Sequence, residues 1–164
     1  LAPHDPLCPW KLAGHLEIPL VTLAHYQQAA PKAVAWLRSA PGQREFSAIT
    51  LFYGREPLII YNDAHPRKRQ AADIAHELAH GLLMHPPKPP INVDGSRHYD
   101  DELEEEANWL GPALLVSDEA ALHIAEKQME IDAASDHYGA SVQVVRMRMN
   151  VSGAARRVAR RRAA

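Results

Sequence analysis

Hydrophobic and polar positions follow two rhythms along this chain. From residue 46 to residue 53 the period is two: Phe46, Ala48, Thr50 and Phe52 alternate with Ser47, Ile49, Leu51 and Tyr53. Gly54-Arg55-Glu56-Pro57 then reads as a hairpin loop, and Leu58-Ile59-Ile60-Tyr61-Asn62 as a second strand rich in β-branched residues. Ile18 to Leu23 is a shorter apolar run. Pro19 has no N–H to offer a neighbour, so this strand belongs at a sheet edge.

Elsewhere the period is that of a helix. Pro9 suits the first turn of a short helix over Trp10–Leu16. Ala29, Ala33, Trp36 and Leu37 predict one over 26–39, ended by Pro41-Gly42. A long helix is predicted from Pro66 to His85, closed by the extended run Pro86-Pro87-Lys88-Pro89-Pro90. Another covers Asp100–Val116, where Pro112 should kink or break it near Gly111. Ser117 caps a third over Asp118–Gln128, and two short helices, 129–138 and 141–150, are split by Gly139. The pattern predicts an α+β fold: a small antiparallel or mixed sheet packed on the long helix and its successor, with a helical C-terminal segment. The expected units are a main domain over 1–128, helix-turn-helix-like helices over 129–150, and a mobile Arg-rich tail over 151–164.

Composition narrows this picture. Leu, Ile, Val and Phe supply 36 of 164 residues and Ala another 27, so the core must be Ala-rich and its helices closely packed. No apolar run is long enough to span a bilayer. The single cysteine, Cys8, excludes an internal disulfide and a multi-cysteine zinc site. With no basic and apolar leader at the start, these features suit a cytoplasmic protein without a membrane partner. The net charge of −2 hides an asymmetry: residues 137–164 hold seven Arg and no acid, while six of the seven residues from Asp100 to Glu106 are acidic.

The chemistry concentrates in His76-Glu77-Leu78-Ala79-His80, an HExxH motif, for which random placement predicts only about 0.04 matches in such a chain. Residues i and i+4 of a helix share a face one turn apart, so two imidazoles there can close on one Zn²⁺. Glu77, one step on from His76, flanks the ion and suits a general base for water. A third ligand is needed. A histidine ten residues after the first is excluded, because position 86 is Pro. On a continuing helix His85 would lie ~140° around from His80 and miss its metal.

The acidic helix downstream offers carboxylates. Leu103, Ala107, Leu110 and Leu114 form its central apolar stripe. Glu104 and Asn108 lie beside it, in a row continued by Gly111 and Leu115, and a Gly there would let two helices approach closely. Glu106 flanks the other edge. Phase therefore favours Glu104 as ligand with Glu106 as runner-up, and Asn108, one turn on, as a partner that orients a ligand histidine. Tyr99, His98, His123 and His137 are candidates by type alone for the donor that stabilises an oxyanion. Arg69 suits a structural ion pair, and Trp10, Trp36 and Trp109 suit the core.

Several of these segments resemble the ImmA/IrrE metallopeptidases. Ile59-Ile60-Tyr61-Asn62 is similar to that family's strand ending in Asn. Arg69-Gln70 with Ile74 to His80 is similar to its active-site helix. Glu104-Glu105-Glu106-Ala107-Asn108 is similar to the segment whose ligand Glu stands four places before the Asn, which again points to Glu104. Asp5-Pro6 through Val21 and Tyr138 through Met147 resemble its two ends. Asn108-Trp109-Leu110-Gly111-Pro112 departs from the family's usual Phe-Ala after the Asn dipeptide.

The resemblance implies a zinc-dependent endopeptidase whose substrate is a protein, a helix-turn-helix transcriptional repressor cut to relieve repression in mobile-element or stress control. The alternative is a zinc-binding regulatory or toxin–antitoxin module that binds protein or DNA without cutting. Nucleic acid is the less favoured partner, reached through the basic C-terminal segment with Arg146 and Arg148 as groove readers.

Overall fold

The fold was obtained as a computed structural model that describes residues 2–54, 56–86 and 100–163. A short helix, α1 (Pro9–His15), leads into strand β1 (Leu20–Thr22). A 3-10 turn over Leu23–Gln27 precedes α2 (Pro31–Arg38), and the brief α3 (Gly42–Glu45) leads into the hairpin of β2 (Ala48–Tyr53) and β3 (Glu56–Tyr61). The single helix expected over 26–39 is divided because Pro31 brings no N–H and its ring clashes with the carbonyl one turn back; it opens a new helix instead. The sheet order is β1-β3-β2, with β1 parallel and β2 antiparallel to β3. The strand bearing Pro19 at its entry is thus at an edge, as expected.

The helical part begins with α4 (Arg67–Leu82), followed beyond the undescribed stretch by α5 (Asp101–Leu115). Asp100 caps α5, its side chain accepting from the Leu103 N–H. Helix α5 runs through Pro112 without a break. The N–H that Pro112 lacks would have met the Asn108 carbonyl, and Asn108 lies on the exposed side, where solvent can take that role. Then come α6 (Asp118–Lys127), α7 (Ile131–Tyr138), α8 (Val142–Ser152) and α9 (Ala154–Ala163). Ser117 and Ser141 cap α6 and α8, and Gln128, Gly139 and Gly153 end α6, α7 and α8 in the left-handed region.

Helix α4 is the hub. One flank gives Ile74 and Leu78 to a core with Ala13, Ile59 and Tyr61. The other gives Ala71 and Ala75 to a core with Leu115, Val116, Ala120, Ile124, Ala134, Tyr138, Ala140 and Val145. Its entry is fixed by buried polar contacts. Asn62 donates to the carbonyls of Leu37 and Phe46 at 3.0 and 3.2 Å, and Gln70 donates to the His65 carbonyl at 2.7 Å. Arg69, expected in an ion pair, is partly exposed: it donates to the Gln43 carbonyl and the Ser47 hydroxyl and lies 4.0 Å from Asp73.

Three expectations are corrected. The residues after Gly153 form a helix rather than a mobile tail: Ala154 and Val158 recur at i and i+4, and both are buried. Arg148 is buried, with Nε donating to the Val116 carbonyl at 2.8 Å and a second nitrogen to Asp118, so it is not presented to a groove. Trp36 and Trp109 are 53% and 60% exposed, and only Trp10 packs against both cores. In each case what decided the outcome was which face met a neighbour, and that was set by elements distant in the sequence. Among the described residues no helix is long and apolar enough to cross a membrane.

Candidate metal centre

His76 and His80 stand one turn apart on α4, and their Nε2 atoms face each other at 3.1 Å. Glu104 on α5 completes the group, with Oε2 at 3.2 Å from His76 Nε2 and Oε1 at 3.6 Å from His80 Nε2. Two neutral ring nitrogens and a carboxylate suit a borderline-soft divalent ion. Ligands ~2.0–2.1 Å from a tetrahedral centre lie about 3.3 Å from one another, close to all three separations here. The donor set therefore fits zinc. Glu106, the runner-up, does not join the group; its carboxylate turns to His85 Nε2 at 2.9 Å.

The helices meet closely because of Gly111. A Cβ there would lie 3.1 Å from the His76 Cα and 3.2 Å from the His76 nitrogen, both backbone atoms. Small residues line the rest of the seam, with Ala75, Ala79 and Ala107 fully buried. The buried positions of α5 are Ala107, Gly111 and Leu115, so the inward face is centred on the row the sequence assigned to Glu104's side.

Glu77 points to the sheet. The Thr50 hydroxyl on β2 donates to its Oε2 at 2.5 Å. Burial pushes the Glu77 carboxyl above the usual range and the Glu104 charge adds to this, while the Thr50 hydrogen bond and His76 oppose it. For His80, burial and then the charge of His76 hold the ring below the usual histidine range, which favours the neutral form that can bind a metal.

Asn108 does not orient a ligand ring. It is exposed, and the free nitrogen of His80, Nδ1, is met instead by His85 Nδ1 at 2.8 Å. A helix continued to residue 85 would carry His85 away from the metal, but α4 stops at Leu82. Of the oxyanion candidates, His123 stacks on His4 and His137 lies against Tyr138, and neither enters the histidine–carboxylate group. His98 and Tyr99 fall outside the described residues.

Of two further residues at the site, Thr50 went unnoticed in the sequence and His85 was considered there only as a metal ligand and set aside. Thr50 was visible only as one hydroxyl in an apolar alternation. His85 was visible as a histidine just before the Pro run that ends the helix.

A family model for the IrrE N-terminal-like domain, Peptidase_M78, matches residues 38–150. The chain belongs to this family. The matched stretch runs from the end of α2 through the hairpin, α4 and α5 into α8, so it contains the whole histidine–carboxylate group. It begins after α1 and β1, where the sequence also resembled the ImmA/IrrE metallopeptidases. No curated protein and no solved structure matches the chain. Membership places this chain among metallopeptidases, and His76, His80 and Glu104 form a group able to hold the metal such peptidases use.

Proposed function

We propose that this protein is a zinc-dependent endopeptidase, with His76, His80 and Glu104 as ligands and Glu77 as the general base. The observation that carries this is the convergence of Glu104 from a separate helix onto the two HExxH histidines, at separations suited to one tetrahedral ion. When bound, zinc would polarise a peptide carbonyl and bring the pKa of a water down to ~7.

The chain's own residues then have defined tasks. Glu77 accepts a proton from the water as its oxygen attacks the carbonyl carbon, then passes that proton to the nitrogen as the C–N bond breaks. Thr50 holds Oε2 of Glu77, which leaves Oε1 as the oxygen available to take the proton. Strand β2 lies at the sheet edge beside this site; among the described residues no further strand pairs with it, and that edge suits an extended peptide. As the family resemblance implies, the substrate is proposed to be a helix-turn-helix transcriptional repressor, whose cleavage relieves repression.

Incubation with such a repressor encoded beside this protein tests the proposal. Discrete fragments should appear with wild type, and should disappear with a chelator and with Glu77→Gln while the latter keeps its zinc. Glu104→Ala should weaken zinc binding by orders of magnitude and abolish cleavage. Zinc-loaded protein that retains the repressor without cutting it would overturn the peptidase assignment in favour of a binding module.

A further inference from the structure

Helix α4 ends in a motif that folds the chain back on itself. Met84 adopts φ 56°, a left-handed conformation rarely taken by a residue with a side chain. Its N–H bonds to the Gly81 carbonyl at 3.1 Å, and the His85 N–H bonds to the His80 carbonyl at 3.0 Å. These are the two hydrogen bonds of a Schellman ending, which most often uses Gly where Met84 stands. The consequence is positional. His85 is returned over the last turn of α4, its side chain only 7% exposed, with its ring edge-to-face against that of His80.

The resulting contacts form a line of three groups. Glu106 Oε2 lies 2.9 Å from His85 Nε2, and His85 Nδ1 lies 2.8 Å from His80 Nδ1. Proton positions along this line follow from the chemistry of each end. A carboxylate only accepts, so His85 Nε2 carries the hydrogen. A neutral His85 ring then has a bare Nδ1, which accepts from Nδ1–H of His80. That leaves His80 Nε2 bare and directed at His76 and Glu104. A free imidazole ring can place its proton on either nitrogen and rotate, and each alternative presents the wrong atom or the wrong direction to a metal.

We propose that His85 and Glu106 are positioning residues which fix the tautomer and ring orientation of His80, making Nε2 the permanent metal-facing donor. This rests on the metal-centre assignment above. Acting through His80, neither residue touches the ion. The arrangement raises the basicity of the ligand ring, and outer partners of this type typically account for 10–100-fold in metal affinity. His85 carries most of this effect. Glu106 is exposed, so water can replace it as the acceptor for His85.

The test uses full-length protein carrying His85→Leu, His85→Gln and Glu106→Ala. Zinc affinity is measured by competition with a chromophoric chelator, and the His80 tautomer by nitrogen-15 NMR on metal-free protein. His85→Leu should weaken zinc binding about 10–100-fold, alter the visible spectrum of the cobalt-substituted site, and remove the Nδ1–H preference of His80. His85→Gln, whose amide oxygen accepts from His80 and whose NH₂ donates to Glu106, should restore most of the affinity. Glu106→Ala should cost less than about tenfold. The Schellman hydrogen bonds are main-chain, so circular dichroism should show the same helix content in every variant. If His85→Leu binds zinc as tightly as wild type, the relay is overturned and the metal centre stands. If no protein binds zinc, the metal centre fails. The tautomer still decides the relay in that case: a His80 held as Nδ1–H in wild type and released in His85→Leu supports it, and no difference overturns it.

Discussion

Replacing Gly111 by Ala would add a single methyl group where α5 crosses α4. That carbon would sit 3.1 Å from the His76 Cα, 3.2 Å from its nitrogen and 3.4 Å from the Ala75 carbonyl carbon. All three are backbone atoms inside a helix, so no side chain can swing aside. Restoring ordinary contact requires the two helices to separate locally by about 0.3–0.5 Å, and overpacking of this kind costs about 1–3 kcal/mol. The substitution also brings a gain, because Ala is better than Gly in a helix interior by about 0.8–1.0 kcal/mol. The net expectation is destabilisation of about 0–2 kcal/mol. The more telling effect is on the site. Separation at His76 pulls its ring away from Glu104, now 3.2 Å distant. Zinc affinity should fall by roughly tenfold, since ligand geometry is held to a few tenths of an ångström. Thermal melts of metal-free protein and chelator-competition titrations give the two numbers. A more stable protein with unchanged zinc affinity would show that the seam is not held as closely as the structure places it, and would refute the reasoning.

Three other outcomes are expected. Thr50→Val removes the donor to Glu77 and lets its carboxyl rise further, so kcat/KM at neutral pH should drop about tenfold and the acid limb of the rate profile should move to higher pH, with zinc content unchanged; Thr50→Ser should recover activity, and an unshifted limb would remove Thr50 from the mechanism. Burial alone would raise the Asp63 carboxyl, but hydrogen bonds from Arg38 and the Ala24 N–H, with the Arg38 charge, hold it below the usual range. Its stabilising effect is therefore complete above the unfolded value of 3.8 and lost as pH falls through the lower folded value, so Asp63→Asn should flatten the acid side of the stability curve, and identical acid melts would contradict this. Deleting residues 154–164 uncovers the face of α6 against which Ala154 and Val158 are buried, and should cost about 1–3 kcal/mol in chemical denaturation; unchanged stability would mean that α9 does not dock.

What could be deduced from the sequence was what local rules govern. The two-residue alternation over 46–53 and the β-branched run over 58–62 became the β2–β3 hairpin, because a strand's faces are set by its own pleat. The i, i+4 spacing of His76 and His80 placed two rings on one face, because a helix has the same pitch wherever it packs. The Gly on the Glu104 row pointed to a close seam, because any larger residue would have kept the helices apart. Where a helix stops, and what its faces meet, depends on partners distant in sequence. Counting turns to residue 85 put His85 on the far side of α4; a helix ending at Leu82 with Met84 left-handed brought it back against His80. Helix phase favoured Glu104 over Glu106 within one acidic run, but the pairing of the first with His76 and of the second with His85 comes from the docking of α5 on α4. Arg148 read as a groove reader and Val158 as part of a mobile tail until α8 and α9 close on α6, because burial of an arginine or a lone valine is decided by the surface offered to it and not by its neighbours in the chain.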